Sequence, residues 1–165
     1  MIQKKVCMLG SFSVGKTSLV RRFVESIFSD TYLTTVGVKI DKKQLQVDGK
    51  DVTLMLWDIY VEDEFQKLRM SYLRGASGFL LVVDGTRRAT LDKALAIKEE
   101  ADKALGPVHS VMVLNKCDLA DQWELDPEKE DALAGQGWSV IRTSAKTGQG
   151  VEEIFTTLAR AMLHK

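Results

Sequence analysis

Cysteine, proline and charge of one sign are all scarce in this chain, and each absence closes off a class of protein. Only Cys7 and Cys117 occur in 165 residues, one inside an apolar run and the other directly after Asn115-Lys116. Neither spacing makes a disulfide framework or a zinc site, so a reducing, cytoplasmic setting is the expectation. The only two prolines, Pro107 and Pro127, fall where helices would stop and start, and no linker, repeat or low-complexity stretch is evident. Lys plus Arg equals Asp plus Glu at 23 each. Nucleic-acid binders usually show a basic excess, so no nucleic-acid partner is expected. The pairs Lys4–Lys5, Arg21–Arg22 and Arg87–Arg88 read as solvated surface. No apolar run approaches the ~20 residues of a membrane span, and the N-terminus lacks a secretory pattern. Met1-Ile2 offers no glycine for myristoylation and Leu163-His164-Lys165 no cysteine for prenylation. A soluble protein without a visible membrane anchor is therefore expected.

What is present is a globular balance, 45% hydrophobic and 28% charged, in a length that suits one domain spanning 1–165. Ile2 to Leu9 reads as a buried strand broken at Gly10. After Lys16, Leu19, Phe23 and Ile27 recur every four residues beside Val20 and Val24, one apolar helical face. Val38–Val47 and Asp51–Trp57 flank Asp48-Gly49-Lys50, a hairpin signal. Phe79–Val83 and Val111–Leu114 are continuous apolar runs, as for strands covered on both faces. Thr90 is expected to cap a helix whose inner side carries Leu91, Ala94, Leu95, Ala101 and Leu105, ending at Gly106-Pro107. Asp126-Pro127 starts another helix, Trp138–Ile141 is a short strand, and Val151, Ile154, Phe155, Leu158 and Met162 mark a closing helix. The pattern predicts an α/β fold: a six-stranded, mostly parallel sheet with one antiparallel strand and helices on both faces. Ligands of such sheets bind at loops beyond the carboxyl ends of the strands.

Three motifs fall at those ends. Gly10-Ser11-Phe12-Ser13-Val14-Gly15-Lys16-Thr17 matches the phosphate-binding P-loop pattern, between a strand and a helix. Its glycines let backbone N–H groups close round phosphates; Lys16 brings a point charge to the β- and γ-phosphates, and the Thr17 hydroxyl suits Mg²⁺. Asn115-Lys116-Cys117-Asp118 follows a strand and names the base. A carboxylate at Asp118 accepts from both the ring N–H and the exocyclic NH₂ of guanine, a donor pair that adenine lacks. Asn115 would tie this loop toward the P-loop, and the Lys116 stem would lie along the purine. Ser144-Ala145-Lys146 follows the last strand and is uninformative alone.

With these motifs in order the chain resembles the Ras superfamily of small GTPases, and its Rab branch most. The likeness extends to Trp57-Asp58, to Ser71-Tyr72-Leu73-Arg74-Gly75-Ala76 and to Thr147-Gly148. It implies a P-loop NTPase fold and a single GTPase domain that binds GTP or GDP with Mg²⁺ and acts as a switch. The implied nucleotide contacts are Ser13, Val14, Gly15, Lys16, Thr17, Ser18, Phe28, Tyr32, Thr35, Asn115, Lys116, Asp118, Leu119, Ser144, Ala145 and Lys146. Phe28 would pack edge-on to the guanine and Tyr32 lid the phosphates, while the Ala145 N–H would meet the base oxygen. Thr17, Thr35 and Asp58 are the implied Mg²⁺ set, Asp58 acting through water. Effector, exchange-factor and activating proteins would dock on two switches, roughly Ser29–Val38 and Ile59–Tyr72.

The sequence departs from the family where hydrolysis is set up. The family's Asp-x-x-Gly-Gln reads Asp58-Ile59-Tyr60-Val61-Glu62 here. Val61 keeps the N–H that meets the γ-phosphate but narrows the backbone range of the switch. Glu62 replaces the glutamine that orients the attacking water and brings negative charge toward the phosphate. Phosphoryl transfer depends mainly on charge stabilisation, so repulsion should outweigh any gain in basicity. Lys16, Thr35 and Glu62 are thus the implied catalytic set, with slow turnover expected. Phe12 stands where the family has a small residue; it either crowds the phosphates or packs away under the second switch. A nucleotide-holding scaffold without useful turnover is the competing reading. A P-loop kinase is disfavoured because no lid insertion is evident. His109 and His164 attract no catalytic role, and Trp123 and Trp138 read as packing or partner surface.

Overall fold

The computed structural model describes residues 2–11, 13–24, 32–33, 38–59 and 70–164. In chain order the elements are β1 (Ile2–Gly10), α1 (Lys16–Val24), β2 (Tyr32–Leu33), β3 (Val38–Val47), β4 (Lys50–Ile59), α2 (Met70–Leu73) and β5 (Gly78–Asp84). There follow α3 (Ala89–Leu105), β6 (His109–Asn115), a 3₁₀ turn (Ala120–Gln122), α4 (Pro127–Gly135), β7 (Ser139–Arg142) and α5 (Val151–Leu163). The strands form one sheet in the order β2-β3-β4-β1-β5-β6-β7. The expected strands are all there, and the two-residue β2 lengthens the sheet at its edge. β1, β4, β5, β6 and β7 pair in parallel, whereas β3 runs antiparallel to both of its neighbours.

Alternation along the central strands divides the core. Val6, Met8, Leu80 and Val82 face α1 and α5, while Cys7, Leu9, Phe79, Leu81 and Val83 face the side carrying α2, α3 and α4. Every residue of β5 is buried, which is why its sequence reads as an unbroken apolar run. Phe23 of α1 stacks on Phe155 of α5 at 3.9 Å between ring centres, joining the two helices on one face. Each such fully buried side chain contributes roughly 1.5–3 kcal/mol relative to exposure. The hairpin closes at Asp48 and Gly49, whose φ values of 50° and 79° suit an Asp-Gly two-residue turn, so Lys50 belongs to the strand.

Local expectations need correction in several places. Thr90 is not the cap of α3: Arg88 holds that position, and Thr90 is buried in the first turn. Its hydroxyl accepts from the Asp84 N–H at 2.9 Å and donates to the Arg87 carbonyl at 2.8 Å, so a local loop recruits it instead of the helix end. Leu105, expected inside, is exposed at the last residue of α3, next to the Gly106 cap. The last strand sits one residue later than expected, at Ser139–Arg142. The basic pairs are exposed or half-exposed, as expected, and several of them also have partners. Lys5 lies over the Trp57 ring at 3.7 Å, Arg22 donates to the Thr147 carbonyl, and Arg87 pairs with Asp84. Ile27, Phe12 and most of both expected switches lie outside the described residues. No helix among the described residues is long and apolar enough to cross a membrane.

Adjacent strands β1 and β5 send their connections to opposite faces, β1 to α1 and β5 to α3. That reversal opens a crevice at the carboxyl edge of the sheet. The P-loop follows β1 into it, Asp58 lies near the end of β4, Asn115 ends β6, and Ser144 follows β7.

Candidate nucleotide-binding site

Around this crevice the P-loop is held by its own lysine. Lys16 Nζ donates to the carbonyls of Gly10 and Ser11, each at 3.0 Å, so its charge sits at the centre of the loop. Burial pushes the Lys16 pKa down, with the Asp58 charge opposing that shift. Ser13 has a φ of 61°, a left-handed conformation away from glycine that marks a backbone shaped by its surroundings. Gly15 has a φ of 104°, and a Cβ there would stand 2.2 Å from Asn115 Nδ2. Only glycine fits, because the second motif closes directly against it. Ser18 is exposed in the first turn of α1.

Asn115 is the tie. Its Nδ2 donates to the Val14 carbonyl at 2.9 Å and its Oδ1 accepts from the Thr143 hydroxyl at 3.0 Å, all of it buried. One amide therefore joins the P-loop, the end of β6 and the loop after β7. Lys116, at a φ of 71°, donates to the Ser13 carbonyl at 3.1 Å and pairs with Asp84 Oδ2 at 2.9 Å. Ser144 Oγ donates to Asp118 Oδ1 at 2.7 Å and accepts from the Thr147 N–H, which fixes the exposed carboxylate in direction. Leu119 N–H turns back to the Lys116 carbonyl. Ala145 packs on the core and Lys146 is exposed. Cys117, between Lys116 and Asp118, is partly exposed, and both cysteines are free thiols.

Asp84 is the residue that sequence reasoning missed. It closes β5 at 1% exposure and also accepts from the Thr86 N–H and hydroxyl and from Arg87 Nε. Burial works to raise its pKa, but the hydrogen bonds from Lys116, Thr86 and Arg87 win and hold it down at about 2. The signal was available: a carboxylate directly after the apolar run Phe79–Val83, at a strand's carboxyl end, is costly unless something pairs with it.

On the other flank, Thr17 Oγ1 donates to Asp58 Oδ2 at 2.5 Å. Asp58 is 1% exposed, and its Oδ1 has no hydrogen-bond partner among the described residues. Burial raises its pKa, against the hydrogen bond from Thr17 and the charge of Lys16. A buried carboxylate oxygen beside a threonine hydroxyl is a hard-oxygen pair that suits Mg²⁺. Among the described residues no three His, Cys, Asp or Glu side chains converge. Tyr32 is in β2, opposite Ile40; Phe28, Thr35, Val61 and Glu62 lie outside the described residues.

The fold and the loop arrangement define an α/β protein of the P-loop NTPase class. A protein-family model, the Ras family, matches residues 5–164. The chain is 34% identical to Ras-related protein Rab-8B of Homo sapiens over 98% of its own length and 79% of that protein. It is 34% identical to the GTP-binding protein ypt2 of Schizosaccharomyces pombe over 94% of this chain and 79% of that protein. Against Ras-related protein Rab-13 of Bos taurus the identity is 33%, covering 98% and 80% respectively. The chain belongs to the Ras family and is Rab-like within it.

Proposed function

We propose that this chain is a guanine-nucleotide switch that binds GTP or GDP with Mg²⁺ and hydrolyses GTP slowly. The observation that carries the reading is the Asn115 amide, which clamps the base-side loop to the Val14 carbonyl of the P-loop. A phosphate cradle and a purine-reading carboxylate thereby become one site. The P-loop amides from Ser13 to Ser18 and the Lys16 ammonium hold the phosphates. Asp118 reads the guanine edge, Ser144 orients Asp118, and the Ala145 N–H meets the base oxygen, with Lys116, Leu119 and Lys146 framing the ring. Phe28, Tyr32 and Thr35 complete the nucleotide contacts. Thr17, Thr35 and Asp58 would hold Mg²⁺, which would supply neutralisation of phosphate charge. GTP-binding is in the name of one relative, and the family likeness brings effectors and regulators to the switch regions. At and beside those regions Ile40, Trp57 and Tyr72 are only partly buried, leaving apolar surface suited to partner contact. Denaturing the purified protein and identifying the released nucleotide by chromatography tests the reading. Guanosine phosphates are expected; adenosine phosphates or none would count against it.

Val61 and Glu62 favour slow turnover, and they also favour a second reading as a scaffold that holds nucleotide without useful hydrolysis. Single-turnover phosphate release from bound GTP separates slow from ordinary chemistry. We expect a rate at or below about 10⁻⁴ s⁻¹ unassisted, and a rate above about 10⁻² s⁻¹ would contradict it. Acceleration by an added activating protein distinguishes the switch from the scaffold.

A further inference from the structure

Behind the base-side loops a tryptophan does work that the family likeness does not assign. Gly85 follows Asp84, and its φ lies outside the left-handed range, so backbone geometry does not demand glycine there. The demand is spatial. A Cβ at Gly85 would stand 2.0, 2.1 and 2.4 Å from Cζ3, Cη2 and Cε3 of Trp123. The six-membered edge of the indole lies directly on the Gly85 backbone. That backbone is stitched on both sides: Gly85 N–H donates to the Asn115 carbonyl at 3.0 Å, and Glu124 N–H donates to the Gly85 carbonyl at 2.8 Å.

The same ring also receives Arg142, whose guanidinium carbon is 4.9 Å from the ring centre. Arg142 is held by both carboxylate oxygens of Glu130, at 2.8 and 2.5 Å, a bidentate pair of the stronger kind. Gly85 is next to Asp84, which grips Lys116; Arg142 is next to Thr143 and Ser144, which grip Asn115 and Asp118. One ring therefore braces two separate supports of the base loop, one through Asp84 and one through Arg142. The indole Nε1 is buried without a hydrogen-bond partner among the described residues. An orphaned N–H is costly, so the ring is retained here for its shape and face and not for its polar handle.

We propose that Trp123, seated on Gly85 and under Arg142, is a positioning residue that sets how long the guanine nucleotide stays bound. It acts through Asp84–Lys116 on one side and Arg142–Ser144–Asp118 on the other. The inference rests on the guanine reading above and deepens it. Removing outer supports of ligand-binding side chains typically costs 10- to 100-fold in the metal-site cases where it has been measured, and a similar loss is expected here.

The test follows release of a fluorescent GDP analogue from the full chain, chased with excess GDP, and the preference for GDP over IDP, which lacks the exocyclic amine. Trp123→Ala should speed release by roughly 10- to 100-fold and narrow the GDP-to-IDP preference. Trp123→Phe, which keeps a ring on Gly85 and removes the orphaned N–H, should recover most of the loss. Gly85→Ala should reproduce the loss by driving the ring out. In the Trp123→Ala background Gly85→Ala should add nothing, because its methyl enters the space the ring left, which is a coupling that a double-mutant cycle reads directly. A folded Trp123→Ala protein with wild-type release and an unchanged GDP-to-IDP ratio would overturn the proposal even if its melting temperature fell. So would equal damage from Gly85→Ala in both backgrounds. Should Trp123→Ala fail to fold, Gly85→Ala alone decides: wild-type release from that variant also overturns it. A wild-type chain that holds no GDP would remove the guanine reading itself, an outcome separate from any of these.

Discussion

Asn115 and Asp58 stand near the carboxyl ends of β6 and β4, at 2% and 1% exposure, and their polar atoms are treated in opposite ways. Both ends of the Asn115 amide are used, on Val14 and on Thr143. Asp58 has one oxygen on Thr17 and the other on no group among the described residues. The base side is thus complete within the protein, with Lys116, Asp118, Ser144 and Asp84 all partnered. On the phosphate side a raised-pKa carboxyl and a lowered-pKa lysine lie close together, each disfavoured by its own burial. The difference teaches which half is a fixed frame and which half is stabilised by what it binds. A diphosphate and a divalent cation would favour the charged forms of both Lys16 and Asp58.

That contrast can be broken at its strongest joint. Gly15→Ala should be the most damaging single change, because the methyl would meet Asn115 Nδ2 at 2.2 Å in a backbone conformation already unfavourable for alanine. Losing the clamp leaves buried amide groups unpaired, for a cost of roughly 2–4 kcal/mol by urea unfolding, together with weakened GDP binding. An unfolding midpoint equal to wild type would mean the clamp does not carry the frame.

Acid sharpens the same comparison. Asp84 has its folded pKa depressed to about 2, below the unfolded value of 3.8. Its contribution is therefore fully present above that unfolded value and is lost as pH falls from about 4 to 2. The loss should amount to about 2 kcal/mol, and Asp84→Asn should remove that part of the acid limb while lowering stability at neutral pH. Identical acid limbs in wild type and variant would contradict the assignment.

The smallest expected effect has the opposite sign. Asp58 is raised, so between the ordinary carboxylate range and neutrality its ionised form costs stability in the nucleotide-free protein. Asp58→Asn should make that form more stable to urea while making GDP retention less sensitive to Mg²⁺. A variant that loses stability without nucleotide, yet keeps full Mg²⁺ sensitivity, would overturn the reading of the phosphate side.

The same contrast explains what could be read from the sequence. Strands such as Phe79–Val83 were legible because burial on both faces leaves an unbroken apolar run, and the P-loop and Asn-Lys-x-Asp segments were legible because phosphate and guanine chemistry fix residue types at fixed spacings. Thr90 misled because a threonine before an apolar helix looks like a cap, and only the tertiary contact with Asp84 shows where its hydroxyl goes. Leu105 misled because helical periodicity does not say at which turn the burial of a helix ends. Trp123 was legible as packing, but its supporting role and those of Asp84, Thr143 and Gly85 stayed hidden, because such partners across the fold have no fixed spacing in the chain. The four-residue α2 is too short to generate a periodic signal.

The central claim is that the clamped loops form one pocket that reads a guanine, and calorimetric titration of the nucleotide-free protein tests it most directly. With Mg²⁺ present, GDP should bind at least about a thousandfold more tightly than ADP, and Asp118→Ala should abolish most of that difference without unfolding the protein. Equal affinity for the two diphosphates, or an Asp118→Ala variant that keeps the full preference, would contradict it.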